Sequence, residues 1–276
     1  MRGTRLAARL ALAVVLSGTV MATSAAQEAI KIDGSTGVAP LIAALAKAYQ
    51  PRAPGVAIEI GGGLGGKERI EALSAGRIAI AIASHGLKVD ELTRSGMAVV
   101  EIARTPVVFA VNAGVTVANL SDDQVCAIYS GRHANWRELG GPDLAIAART
   151  RPDSEVDAEV VRDGVACLKD LKMPESVKIM RRSGDMAAEL ASAPGAFGMT
   201  TTTVVEQSGG KVRALALNGV SPDAANVVAG KYRLVREAFL VTKRPPAAEV
   251  ERFIAFVRSA DGAAVITANG AIPTPR

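Results

Sequence analysis

From Ile30 onward, short apolar segments alternate with longer amphipathic ones along this chain. The short segments are rich in Ile, Val and Ala, and the longer ones carry apolar residues at helical spacing. The segment at 78–83 is apolar throughout, which is typical of a strand buried on both faces. The predicted order at the start is strand 30–32, helix 38–49, strand 56–60, helix 67–75 and strand 78–83. This βαβαβ order predicts an α/β domain with a mainly parallel sheet.

A second α/β unit is predicted to begin near Leu120. The remaining predicted elements are strand 105–112, helix 122–129, strand 145–148, helix 155–171, strand 177–180, helix 186–191, strands 197–201 and 212–217, strand 237–242 and helix 248–258. Connections near 113 and again near 234 would join the two units as a clamshell with its ligand between them. We therefore divide the chain into lobe I, at 27–112 plus 235–276, and lobe II, at 113–234.

The first 26 residues have the three-part layout of a secretory signal peptide. Three arginines precede an apolar stretch at 10–22, and small residues at 24–26 offer a cleavage site. The apolar stretch is shorter than the roughly 20 residues of a membrane span, and no cysteine that could carry a lipid anchor lies nearby. We therefore expect residues 1–26 to be removed after about Ala26 and the remainder to be a soluble periplasmic protein.

The charge and composition argue against a nucleic-acid partner. The formal net charge is +5, and loss of the three leader arginines lowers it to +2. A nucleic-acid surface needs clustered Lys and Arg, and single strands also need aromatic stacking platforms. Aromatic residues make up only 3% of this chain.

The two cysteines and two histidines do not form a recognisable metal site. Cys126 and Cys167 lie far in sequence from His85 and His133, and the spacing matches no zinc pattern. Two alternatives stay open for the cysteines. They form a disulfide in an oxidising compartment, or they are buried free thiols.

Three loops that follow the first three predicted strands are the main candidates for a binding site. They lie at 34–37, at 61–66 and at Ser84–His85. In such sheets the loops at the carboxyl ends of the strands lead into helix N-termini and share one crevice. Backbone N–H groups at a helix start suit a small anion.

The loop at 61–66 also matches two nucleotide-binding patterns. Three of its glycines fit GxGxxG, but the acid expected about 20 residues further on, to hold a ribose, is missing. The pattern GxxxxGK also fits, but Glu68 stands where Ser or Thr must reach magnesium. We expect no nucleotide and no other cofactor.

The loop at 149–154 is the predicted source of a basic ligand group. It follows a strand and precedes a helix, so Ser154 and the next amides can cap that helix and face the crevice. Arg149 and Arg151 each offer a planar guanidinium suited to a tetrahedral oxyanion. The turn at 183–185 is interpreted as a plain helix cap.

Catalytic signatures are lacking. Ser84 and His85 are adjacent, and adjacent side chains at a strand end point in opposite directions. The GxSxG pattern is missing from the sequence. We therefore expect a binding protein rather than an enzyme.

Several segments match one known family in the same order along the chain. They are DGSTGVAP at 33–40, LSDDQVCAIYSG at 120–131, NWRELGG at 135–141, PGAFG at 194–198, NGVSP at 218–222, GKYRL at 230–234, FIAF at 253–256, SADG at 259–262 and GAIP at 270–273. The chain resembles the periplasmic phosphate-binding proteins, which are type II substrate-binding components of ABC importers. The resemblance implies two α/β lobes with a hinge and an inter-lobe ligand cleft, lobe I being built from both ends of the chain.

The resemblance also implies an anion held between helix N-termini by neutral donors. The ligand-binding residues that it implies, together with the three loops, are Ser35, Thr36, Gly37, Gly63, Leu64, Gly65, Ser84, His85, Arg149, Arg151 and Ser154. The family normally has a serine in the second loop, where this chain has Gly63-Leu64-Gly65, so only backbone amides remain there. Whether Arg149 or Arg151 is the family arginine depends on where a short gap falls.

His85 stands where the family usually has an aspartate. A carboxylate at that position accepts the proton of HPO₄²⁻ and repels fully ionised anions, whereas a histidine can accept or donate. We hypothesise a relaxed or shifted anion preference. An unchanged ranking of phosphate, sulfate, molybdate and tungstate in a His85→Asp variant would contradict it.

The function implied by the resemblance is capture of phosphate or a similar tetrahedral oxyanion for an ABC importer. The expected partners are the small anion and an ABC permease, and the protein is expected to be a monomer. The alternative is a periplasmic sensor or accessory protein with the same fold and a different small ligand. A third interpretation is an esterase or phosphatase that uses His85.

Overall fold

The computed structural model describes residues 29–274. The predicted signal peptide at 1–26 lies outside these residues. In this range, every helix is too short or too polar to cross a bilayer.

The described chain contains twelve strands and ten α-helices. The strands are β1 (Ile30–Gly34), β2 (Ile58–Ile60), β3 (Ile80–Ser84), β4 (Met97–Asn112), β5 (Asn119–Leu120), β6 (Ala147–Thr150), β7 (Lys178–Ile179), β8 (Ala196–Thr201), β9 (Val212–Ala214), β10 (Ala216–Leu217), β11 (Val235–Lys243) and β12 (Ile272–Pro273). The helices are α1 (Ala39–Tyr49), α2 (Gly66–Ser74), α3 (Val89–Arg94), α4 (Asp122–Tyr129), α5 (Val156–Gly164), α6 (Ser183–Ser192), α7 (Thr202–Gln207), α8 (Ala224–Val228), α9 (Ala248–Val257) and α10 (Ala260–Ala268). Short 3₁₀ helices lie at Gln50–Arg52, Trp136–Leu139 and Ala166–Leu168.

The predicted helix at 155–171 is shorter than expected. It ends at Gly164, and Val165 takes an extended conformation before the 3₁₀ helix at Ala166–Leu168. Glycine is a poor helix former, and it stops the helix here although apolar residues continue at helical spacing. The predicted strand at 212–217 is also divided, since β9 pairs with β4 whereas β10 pairs with β5.

The α/β class is confirmed, but the expectation of a mainly parallel sheet is wrong. The strand order is β2-β1-β3-β11-β4-β8-β6-β7, with β9 and β12 also paired to β4. β1, β2 and β3 are parallel, as their helical connections require. β11 is antiparallel to both β3 and β4. The reason is that β4 leaves the first lobe while β11 returns to it, so these neighbours run in opposite directions.

Two hydrophobic cores lie along this sheet. The first is formed by β1, β3, α1 and α9 and includes Ile102 and Ala103 of β4. A smaller cluster under α2 covers the opposite face of the same strands, so β3 is buried on both faces as predicted. The second core contains Val107 to Val111 of β4 together with α4, α5 and α6. β4 therefore contributes to both cores. The lobe boundaries at 112/113 and 234/235 stay predictions.

A disulfide ties two elements of the second core. Cys126 of α4 is bonded to Cys167 of the 3₁₀ helix, 41 residues further along the chain. Of the two alternatives left open by the sequence, the structure contains the disulfide.

Candidate functional site

A cavity of about 320 Å³ lies between the two lobes. The first lobe lines it with residues from the loops that follow β1 and β2, and the second lobe with the start of α5 and the residues before α6. The lining residues are Gly34, Ser35, Thr36, Gly62, Gly63, Leu64, Gly65, Gly66, Arg69, Ser154, Glu155, Val156, Arg181 and Arg182. Six of the predicted site residues are among them: Ser35, Thr36, Gly63, Leu64, Gly65 and Ser154.

The first loop is shaped by Gly34 and leads into α1. Gly34 has a φ of +140°, and a Cβ there would overlap the carbonyl oxygen of Ile82. This close approach lets Ser35 donate its N–H to the same carbonyl at 2.9 Å. Within residues 29–274, the N–H groups of Thr36 and Gly37 have no acceptor. They are therefore available to an anion in front of α1.

The second loop is fixed to the first by Asp33. Its Oδ1 accepts hydrogen bonds from the N–H of Gly34 at 2.7 Å and from the N–H of Gly63 at 2.9 Å. Leu64 donates its N–H to the Gly34 carbonyl at 3.0 Å. The amides of Gly63 and Leu64 are thus already engaged, which the sequence does not predict. Among the predicted amides of this loop, that of Gly65 is the one without an acceptor in the described chain.

The guanidinium group of Arg69, a residue of α2, lines the cavity. Its Nη1 lies 3.4 Å from the carbonyl oxygen of Ile82, and its Nε is buried without a hydrogen-bond partner in residues 29–274. Burial lowers the pKa of Arg69 below its ordinary value, and the charge of Glu155 opposes this shift. A partly desolvated guanidinium with an unused donor suits an anionic ligand.

The second lobe contributes a carboxylate and two more arginines. Glu155 lies at the start of α5, and its Oε2 accepts from Nη2 of Arg151 at 3.0 Å. Arg181 and Arg182 are exposed and directly precede α6. Nη1 of Arg182 lies 3.8 Å from where a Cβ would stand on Gly62, so this side chain reaches across the cleft to the first lobe.

Neither arginine predicted from the loop at 149–154 lines this cavity. Arg149 is 7% exposed, and its Nε donates to Glu189 at 2.8 Å while its Nη1 donates to the Ala148 carbonyl at 3.0 Å. Arg151 is 2% exposed and donates to the Met180 carbonyl at 2.8 Å, in addition to Glu155. Both side chains hold the second lobe together in this structure. The ion pair of Arg149 depends on Glu189, 40 residues further along the chain, which the loop sequence cannot reveal. The partner of Arg151 is only four residues away.

Gly37, Ser84 and His85 also lie outside the cavity lining. The Ser84 hydroxyl donates to the Glu237 carbonyl at 2.9 Å, and Nδ1 of His85 lies 2.6 Å from Oε2 of Glu237. The guanidinium of Arg236 packs so closely on Gly37 that a Cβ there would overlap it. The role of His85 as an anion selector stays a prediction.

The His85–Glu237 contact makes one substitution informative. In a His85→Asp variant two carboxylates would face each other, and we expect a loss of about 1 kcal/mol in unfolding free energy at pH 7. Repulsion between the two carboxylates of the variant raises the pKa of one of them in the folded state. The loss in unfolding free energy should therefore grow as pH rises and shrink as pH falls toward 4. Urea unfolding at several pH values measures this. A His85→Asn control should stay near the parent, and an equal deficit at pH 4 and pH 7 would contradict the expectation.

The structure reveals three basic site residues that are not among the sequence candidates, namely Arg69, Arg181 and Arg182. Arg69 lies three residues beyond the glycine loop, on the first turn of the helix that the loop starts. Arg181 and Arg182 adjoin the turn that was interpreted as a plain cap. The sequence signal that could have identified these three arginines is their position next to a predicted helix start. Within residues 29–274, no group of three His, Cys, Asp or Glu side chains could hold a metal ion.

Comparison with known proteins identifies the family of this chain. The family model of the PBP superfamily domain matches residues 19–261. The chain is 28% identical to the phosphate-binding protein PstS of Bacillus subtilis over 256 residues, covering 90% of this chain and 81% of that protein.

Solved structures resemble this chain over a similar share of its length. One is a substrate-binding protein from Clostridium perfringens with bound phosphate, at 28% identity and a TM-score of 0.72, covering 90% of this chain and all of that one. Another is an ABC-type phosphate transport receptor from Vibrio cholerae, at 26% identity and a TM-score of 0.60, covering 89% and 100% of the two chains. The predicted two-lobed type II fold is confirmed. The chain belongs to the PBP superfamily.

Proposed function

We propose that this protein captures phosphate, or a similar tetrahedral oxyanion, in the inter-lobe cleft and delivers it to an ABC importer. The observation that carries the proposal is the 320 Å³ cavity, which combines open backbone N–H groups with the guanidinium of Arg69. The similarity to PstS of Bacillus subtilis and to the phosphate-bound protein from Clostridium perfringens supports the choice of anion.

The proposed phosphate position is in front of α1, between the first loop and the start of α5. The N–H groups of Thr36 and Gly65 and the hydroxyl of Ser154 would donate to its oxygens. Two helix N-termini face this position, and each favours negative charge through its unpaired N–H groups and its dipole. Arg69 would supply the full positive charge from α2.

The proposed donors are divided between the two lobes, so a bound ligand favours closure of one lobe onto the other. Thr36, Gly65 and Arg69 belong to the first lobe, whereas Ser154 belongs to the second. A ligand that contacts both lobes favours the conformation in which all contacts are made at once. We propose that this closed form docks on the permease as a monomer, after export and removal of residues 1–26, and that the protein has no catalytic activity.

An Arg69→Met variant tests the proposal. A hydrogen bond to a charged group contributes about 1.5–3 kcal/mol, so we expect phosphate affinity to fall roughly 10- to 100-fold. Calorimetric titration of the ligand-stripped protein measures the loss, and thermal unfolding shows whether the variant is folded. Arg77→Met is the matched control, because Arg77 is exposed and lies outside the cleft in the same lobe. A folded Arg69→Met protein with unchanged affinity would refute the assignment of Arg69.

A further inference from the structure

In the described part of the chain, one carboxylate lines the cavity between the lobes. Three arginines and one glutamate, Glu155, give this lining a net charge of +2. Hydrogen phosphate and sulfate are both tetrahedral dianions of similar size, so the net charge attracts them equally. Discrimination between the two anions therefore needs a group that recognises the proton, which phosphate carries at neutral pH and sulfate lacks.

Glu155 stands at the helix start that faces the proposed phosphate position. It is the N-cap residue of α5, and its side chain makes no capping hydrogen bond to that helix. Its charge opposes the fall in the pKa of Arg69, so the carboxylate of the second lobe and the guanidinium of the first lie near each other across the cleft. An anion held by Arg69 would therefore lie beside Glu155.

One oxygen of the Glu155 carboxylate is held in place, and the other is free to accept a hydrogen bond. Oε2 accepts from Nη2 of Arg151 at 3.0 Å, and Arg151 is itself fixed by donation to the Met180 carbonyl at 2.8 Å. Within residues 29–274, Oε1 makes no hydrogen bond. An ionised carboxylate can only accept. Oε1 can therefore form a hydrogen bond with an anion that carries a proton, and it repels an anion that carries none.

The position of Glu155 on the second lobe determines when it meets the anion. Thr36, Gly65 and Arg69 belong to the first lobe and can hold an anion before the lobes close. Closure then brings Glu155 onto the bound anion. An unfavourable contact made only in the closed form shifts the population toward the open form.

We propose that Glu155 determines the anion specificity of the cleft by accepting the proton of hydrogen phosphate when the lobes close. Sulfate meets the same donors of the first lobe, but the carboxylate opposes closure on it. This proposal rests on the proposed function, since the anion is held by the donors assigned to phosphate.

Calorimetric titration of the ligand-stripped protein and of a Glu155→Gln variant with phosphate, arsenate, sulfate and selenate tests the proposal. All four anions are tetrahedral, but only phosphate and arsenate carry a proton at neutral pH. We expect these two to bind the parent protein at least about tenfold more tightly than sulfate and selenate, as one charged hydrogen bond implies. In the variant this ratio should approach one, because the amide of glutamine has no charge and can donate to sulfate.

A Glu159→Gln variant is the matched control. It removes the same charge from the next turn of the same helix, at an exposed position outside the cavity lining, and should keep the ratio of the parent. Release of Arg151 in the Glu155→Gln variant would change the affinity for all four anions alike, so the ratio separates selection by Glu155 from a structural effect. Thermal unfolding shows whether each variant is folded.

Small-angle X-ray scattering tests the closure step. The radius of gyration should fall with saturating phosphate for both proteins, but with saturating sulfate only for the Glu155→Gln variant. Equal contraction of the parent by sulfate and phosphate would overturn the inference. Equal affinity of the parent for the two anions, or an unchanged ratio in a folded Glu155→Gln protein, would also overturn it and leave the proposed function intact. The absence of binding by all four anions would contradict the proposed function as well.

Discussion

Replacement of Asp157 by alanine is expected to lower the free energy of unfolding by about 3–5 kcal/mol, because it leaves a buried arginine without its partner. Oδ1 of Asp157, on the first turn of α5, accepts from Nη1 of Arg236 at 2.6 Å. Both residues are only 3% exposed to solvent. Nε of Arg236 is already buried without a partner in residues 29–274, so this guanidinium has no alternative carboxylate to compensate it.

Thermal and urea unfolding measure this loss. For a protein of this size about 4 kcal/mol corresponds to a fall of roughly 10 °C in Tm. Asp261→Ala is the matched control, since Asp261 pairs with Arg52 at the surface and should contribute under about 1 kcal/mol. An Asp157→Leu/Arg236→Met variant should recover part of the loss, because a buried ion pair can be replaced by apolar groups. A loss below 1 kcal/mol for Asp157→Ala would contradict the assignment.

The same ion pair connects stability to the cleft. Arg236 belongs to β11, which returns to the first lobe, and Asp157 belongs to the helix whose start lines the cavity. Arg236 also packs against Gly37 at the end of the first loop. The pair therefore positions the loop of one lobe against the helix of the other.

Removal of the disulfide is expected to cost about 4 kcal/mol. Cys126 and Cys167 enclose 41 positions of chain, and a loop of this length restricts the unfolded state by about that free energy. The enclosed segment contains β6, Ser154 and all of α5, so the second-lobe wall of the cleft depends on it.

A Cys126→Ala/Cys167→Ala variant measures this contribution by urea unfolding. The parent protein should lose the same stability when a strong reductant is present, whereas the variant should not respond to the reductant at all. The variant without reductant thus serves as the reference for the reduced state. If the parent and the variant unfold at the same urea concentration under oxidising conditions, the disulfide does not stabilise the fold.

Periodicity in the sequence was sufficient to predict the central elements of the fold. The apolar run at 78–83 predicts a strand buried on both faces, and β3 has that property because helices cover both sides of the sheet. The first part of β4 was not predicted. Glu101 and Arg104 interrupt its apolar pattern, and only pairing with β11 makes the strand continuous.

The candidate site was predictable to the extent that local sequence determines it. Glycine loops before helices predict the first two loops, and the position between a strand and a helix start predicts Ser154. The arginines were not predictable, because the choice between a structural and a ligand-facing guanidinium depends on distant partners. Arg149 pairs with Glu189, 40 residues away, whereas Arg69 has no such partner in residues 29–274.

The most direct test of the central claim is calorimetric titration of phosphate into protein that has been unfolded, stripped of ligand and refolded. We expect binding of one phosphate per chain with a Kd of about 1 µM or tighter, corresponding to about −8 kcal/mol, and weaker binding by the Arg69→Met variant. No heat of binding with millimolar phosphate, from protein shown to be folded, would contradict it.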